Sequence, residues 1–130
     1  MKALTRLSAL VAAVTVALTS YSPVTALAIP ERFQVVIRIV GWQPEDVPML
    51  AAVVECESGW QTFALGQAGE LGLMQLMPST YDHVARLDEQ LPARDNWSEW
   101  SPSVQLYAGK VLHTEQGWTP WVCAWPYLPE

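Results

Sequence analysis

Basic residues are scarce in this chain: seven Lys and Arg stand against thirteen Asp and Glu, a formal charge of −6. Two of the seven, Lys2 and Arg6, lie at the very start, and from residue 29 onward the balance is five against thirteen, or −8. No basic stripe is left to follow a phosphate backbone or an anionic bilayer, which argues against nucleic acid and anionic membrane surfaces as partners. The acidity itself reads as solubility. Histidine is rarer still. His83 and His113 have no Cys, Asp or Glu at metal-ligand spacing, so both read as surface or core residues and no metal site is read from them. Internal repeats, low-complexity tracts and a second domain are also missing.

Cysteine is nearly absent too. Cys56 and Cys123 are the whole complement, and two cysteines allow one intramolecular pairing. The N-terminus supplies the compartment. Lys2 and Arg6 precede an uncharged stretch from Leu7 to Leu18, and Ala26-Leu27-Ala28 has the small-x-small pattern that signal peptidase reads. The apolar run is shorter than the ~20 residues a comfortable membrane span needs. Residues 1–28 therefore read as an export signal cut after Ala28, with a retained anchor as the alternative; stable membrane insertion of the cut chain is not expected. In an oxidising compartment the two cysteines then form a bridge. The competing reading, a catalytic Cys paired with His83 or His113, needs the free thiol that the bridge removes. The remaining 102 residues, 29–130, suffice for one small domain.

The coarse pattern is helical. Phe33 to Val40 is rich in Val and Ile and fits strand or helix equally, with Gly41 as its break. A helix is expected from Asp46, whose carboxylate can cap free backbone donors, with Pro48 in the first turn and Gly59 at the end. A second is expected from Ser79, paired with Asp82 as a capping box, through Val84 and Leu87 to about Glu89. In a third, Ser101 caps, Pro102 takes the first helical position and Gly117 stops. There Val104, Tyr107, Ala108 and Val111 have the spacing of one buried face.

Chemistry enters on the helix from Asp46 to Ser58. At about 100° per residue, Leu50, Val53 and Val54 share a flank, and Glu57 falls between Leu50 and Val53. Glu55 projects about 160° away, toward solvent. A carboxyl among apolar side chains resists ionisation and can hold a proton near neutrality. Cleavage of a glycosidic bond by a general acid requires that.

The surrounding blocks carry a resemblance. Glu55-Cys56-Glu57-Ser58-Gly59-Trp60 is followed by Gly69-Glu70-Leu71-Gly72-Leu73-Met74-Gln75-Leu76-Met77-Pro78-Ser79-Thr80, and Gly117-Trp118-Thr119-Pro120-Trp121 comes near the end. From about Val47 to Trp121 the chain resembles the soluble lytic transglycosylase (SLT) family of the lysozyme-like superfamily, including its small actinobacterial and phage members. The resemblance implies a mainly α, lysozyme-like domain with an irregular substrate-cleft lobe; a monomer is expected. It implies a peptidoglycan glycan strand as partner and no cofactor. Glu57 falls on the family's catalytic acid and Ser58 on its supporting hydroxyl. Gly72, Leu73, Met74 and Gln75 match the stretch lining the cleft, with Gln75 as a polar sugar contact. The implied reaction cuts the β-1,4 bond between N-acetylmuramic acid (MurNAc) and N-acetylglucosamine (GlcNAc) and leaves a 1,6-anhydro end. Secretion to the cell envelope or beyond follows.

Two positions depart from the pattern. Glu70 stands where the family usually has a small or uncharged residue; a second carboxylate there can position water and favour hydrolysis, or can simply be a solvated loop residue. At the start of the third helix the family commonly shows Asn, and this chain has Ser103-Val104-Gln105. Seven tryptophans exceed the needs of so small a core. Trp118 and Trp121 can stack on sugar faces, while Trp42, Trp60, Trp97, Trp100 and Trp125 are not sorted by sequence between core and surface. A lysozyme-type muramidase and a non-catalytic wall-binding accessory protein are the alternatives to a transglycosylase.

Overall fold

The structure, a computed structural model, describes residues 28–93 and 100–130. The expected export signal lies outside the described residues except for Ala28, and so does Trp97. Four α-helices and a closing 3₁₀ helix follow one another: α1 Glu31–Val40, α2 Val47–Ser58, α3 Pro78–Leu87, α4 Pro102–Gln116 and the 3₁₀ helix Val122–Tyr127. Among the described residues, β pairing is limited to two isolated bridges, so the domain is mainly α as expected.

The stretch that spacing left open is helical. Phe33 and Ile37, four residues apart, are buried, while Val35 between them is exposed; a strand would have put all three on one face. Gly41, at φ 85, ends α1: its amide donates to Arg38 O at 3.1 Å and the Trp42 amide to Ile37 O at 3.3 Å. This left-handed closure favours glycine.

Helix α2 begins after Asp46 and ends at Gly59, φ 57, with Pro48 in its first turn. The expected cap is not made, because the Asp46 side chain turns instead toward α4, where its Oδ1 lies 4.0 Å from His113 Nε2. Leu50, Ala51, Ala52, Val53 and Val54 are all buried, so α2 is a central helix enclosed on more than the one flank expected. Helix α3 corrects the expected start and end. Met77 precedes it and Pro78 opens it, and no Ser79–Asp82 capping box forms. Pro78 has its φ preset for the first helical position and no N–H to satisfy, so the helix starts there. It stops at Leu87, where Asp88 turns extended and accepts from the Tyr107 hydroxyl and the Gln90 amide.

Helix α4 has the expected ends: Ser101 Oγ accepts from the Val104 amide, Pro102 is first, and Gly117 stops it. Its buried face is rotated from the expected one. Gln105, Leu106, Ala108, Gly109 and Leu112 face the core, and Val104, Tyr107 and Val111 are only half-buried. The rotation follows from α1 and α3 both packing on α4, which buries a wider arc than a single contact would. The closing 3₁₀ helix packs on α2, where the Cys56–Cys123 bridge joins them with Cα atoms 6.0 Å apart. Trp42, Trp60, Trp100 and Trp121 are core residues, and Trp125 is exposed.

Candidate active site

Glu57 sits in the last turn of α2, one residue beyond the bridged Cys56. It is half-buried, whereas Glu55 is exposed, the contrast expected from the helical angle. Burial raises the Glu57 pKa above the ordinary carboxylate value. The backbone amide of Cys123 facing it pulls the other way, and the negative charge of Glu70 adds to the rise. The bridge accounts for that amide. It brings the first turn of the 3₁₀ helix, where N–H groups lack helical partners, against the end of α2.

The other side of Glu57 is the loop from Gly59 to Met77. Trp60, at φ 64, and Gln75, at φ 49, bracket it, and they are the only non-glycine residues with positive φ among those described. Each such residue carries strain of about 1–2 kcal/mol, which persists only where surrounding contacts enforce it. Trp60 is held by burial against Phe33, ring centroids 5.1 Å apart. Gln75 is held by its own amide, which donates to Ala64 O at 3.0 Å and Gly72 O at 2.9 Å.

Within the loop, Leu71 bridges both Leu65 and Leu76. The turn Gly72-Leu73-Met74-Gln75 closes the second bridge, and four surrounding elements each anchor it through one side chain. Ser58 from α2 donates to Leu73 O at 2.8 Å. Tyr81 from α3 donates to Leu71 O at 2.9 Å. Gln105 from α4 accepts from the Leu73 amide at 2.9 Å. Trp121, just before the 3₁₀ helix, donates to Met74 O at 3.0 Å. A loop without strands thus has its backbone groups satisfied from outside, as a buried segment requires.

These contacts place the residues expected at the site. Leu73 and Met74 are fully buried, so their side chains belong to the core. Ser58 is buried with its hydroxyl on backbone carbonyls, and Gly72 is buried. Gln75 is half-buried. Trp121 is buried and Trp118 lies in an aromatic cluster, its ring centroid 5.6 Å from Trp42, 4.4 Å from His113 and 5.6 Å from Trp121. Glu70 is half-buried and folds over its own loop, where Oε2 accepts from the Ala68 amide at 3.0 Å. Gly66 makes room for it, since a Cβ there would lie 2.0 Å from that oxygen.

The residue that sequence reasoning undervalued is Gln105. Fully buried, it accepts from Leu73 and donates to Thr62 O at 2.9 Å and Trp100 O at 3.2 Å, tying α4 to both ends of the loop. The available signal was a side-chain amide near the helix start, close to where the family commonly shows Asn. The histidines join helices: His83 on α3 lies 2.8 Å from Glu115 on α4. Among the described residues, no group of His, Cys, Asp and Glu could hold a metal, and no helix is long and apolar enough to cross a membrane.

A small, mainly helical, disulfide-bridged domain with one half-buried carboxylate closing its central helix is lysozyme-like in class. Residues 41–99 match the family model of the transglycosylase SLT domain. No curated protein and no solved structure matched the chain. The family supports, broadly, a lytic transglycosylase-type activity on cell-wall peptidoglycan.

Proposed function

We propose that the protein is an exported peptidoglycan lytic transglycosylase that cuts the MurNAc-β-1,4-GlcNAc bond with Glu57 as its single acid and base. Residues 1–28 direct export and are removed after Ala28, and the domain works as a monomer in the cell envelope or outside it. The observation that carries the reading is the setting of Glu57, half-buried at the end of α2 with burial as the main influence on its proton. Protonated Glu57 gives its proton to the bridging oxygen as the bond from C1 of MurNAc to that oxygen breaks. The carboxylate then takes the proton of the MurNAc 6-hydroxyl while that oxygen bonds to C1. Glu57 returns to its acid form, and the products are a GlcNAc 4-hydroxyl and a 1,6-anhydro-MurNAc end.

The supporting residues act through position. Ser58 and Gln105 hold the Gly72–Gln75 turn, and Gln75 faces the substrate side of the loop in this reading. Glu70 motivates a second reading, hydrolysis, because its charge is close enough to act on Glu57. Mass spectrometry of the soluble products from purified peptidoglycan tests both, using wild type, Glu57→Gln and Glu70→Gln. Anhydro ends that disappear only in Glu57→Gln support the transglycosylase. Reducing ends that disappear in Glu70→Gln would replace it with a hydrolase, and no product from any protein would leave a wall-binding accessory.

A further inference from the structure

We infer that Trp125, with Val122 beside it, forms a stacking platform for a sugar ring of the glycan strand next to the bond that Glu57 cleaves. The inference rests on the proposed glycan substrate and adds a binding residue to it. Trp125 is 57% exposed and Val122 63%, whereas Trp42, Trp60, Trp100 and Trp121 are all buried. A 3₁₀ helix has about three residues per turn, so residues three apart lie one above the other. Val122 and Trp125 therefore share a face of the closing helix, and Ala124 between them turns into the core.

Two features hold that face still. The Trp125 indole N–H donates to Thr119 O at 2.9 Å, which fixes the ring and leaves its polar group already satisfied. What remains for a partner is the apolar ring surface. Cys123, within the same helical turn, is bonded to Cys56, and Cys56 precedes Glu57. A rise of about 2 Å per residue places Trp125 roughly 4 Å farther along the helix than Cys123. The platform therefore starts two residues along the closing helix from Cys123, whose backbone amide faces Glu57. A rigid aromatic with its N–H satisfied suits the apolar C–H face of a hexose, which offers area and little charge. Exposure of a large side chain contributes nothing to the core, and contiguous exposed apolar surface commonly marks an interaction site.

The test separates binding from chemistry. Co-sedimentation with purified peptidoglycan compares Glu57→Gln with the double variant Glu57→Gln, Trp125→Ala, and steady-state kinetics compare wild type with Trp125→Ala and Trp125→Tyr. The expected result is about tenfold weaker sedimentation for the double variant. In kinetics, Trp125→Ala raises KM about tenfold with kcat within about twofold, the signature of lost uniform binding. Trp125→Tyr restores most of the loss, which excludes misfolding as its cause. Equal sedimentation with unchanged KM overturns the inference. Turnover by Glu57→Gln would refute the role of Glu57 alone, since sedimentation still reads Trp125. If neither variant sedimented with the glycan, the platform would be refuted together with the substrate.

Discussion

The Cys56–Cys123 bridge should dominate the stability of the domain and, through the Cys123 amide, temper the rise that burial gives the Glu57 pKa. It closes a loop with a sequence separation of 67 residues. Loop-closure entropy for that length corresponds to about 4.4 kcal/mol at 25 °C. A small domain is stable by only about 5–15 kcal/mol in all, so the variant Cys56→Ser, Cys123→Ser should lose a large part of it. At about 4–8 °C per kcal/mol for a domain this size, Tm should fall by roughly 18–35 °C. Removal also frees the closing helix, whose Cys123 amide opposes the rise in the Glu57 pKa. Without it the carboxyl should rise further, and the alkaline limb of activity should move to higher pH. Urea unfolding followed by tryptophan fluorescence gives the first quantity, and the pH profile of kcat/KM, measured where the variant is folded, gives the second. A stability loss under about 1 kcal/mol would refute the loop-closure argument, and an unmoved limb would refute the electrostatic link.

Four further outcomes are expected. Gln105→Ala should destabilise by about 2–4 kcal/mol, because it leaves the buried Leu73 amide without an acceptor and opens a cavity. Gln105→Glu should be at least as damaging at pH 7, where a carboxylate would face the carbonyls of Thr62 and Trp100, and should recover partly in acid; denaturation at two pH values reads this. Glu70→Gln removes a charge that raises the Glu57 pKa, so the alkaline limb of kcat/KM should shift to lower pH while the product stays the same. Glu57→Gln should stabilise the fold at neutral pH: a carboxyl raised on folding favours folding below its unfolded pKa, and that advantage is lost as pH rises through the folded value. The gain should vanish in acid, and a thermal-melt series across pH would expose the opposite sign.

Sequence alone carried the helical class, most helix ends and the contrast between Glu55 and Glu57. These follow from local chemistry: Gly41 and Gly59 accept left-handed backbone, Pro102 fits a helix start, and a fixed angle per residue separates two glutamates. The family blocks also lie in contiguous sequence, so the glycan-cleaving class was legible without coordinates. The α1 segment was not legible, because a short run of Val and Ile satisfies strand and helix alike until packing shows which residues are buried. Caps at Asp46 and Ser79 failed for a related reason, since a partner on another helix or a preset proline competes with the local cap.

The sequence by itself determined which residues are present in the candidate-site blocks; only the tertiary structure decided what each touches. Leu73 and Met74 belong to the core. Gln105, 32 residues beyond Leu73, proves to be the acceptor that holds its amide. Trp121 is buried as a hydrogen-bond donor, while Trp125, four residues on, presents its ring to solvent. Periodicity and capping act over a few residues and can be read along the chain. Burial and hydrogen-bond satisfaction depend on groups that meet only when distant segments close on one another, here under the constraint of a disulfide beside Glu57.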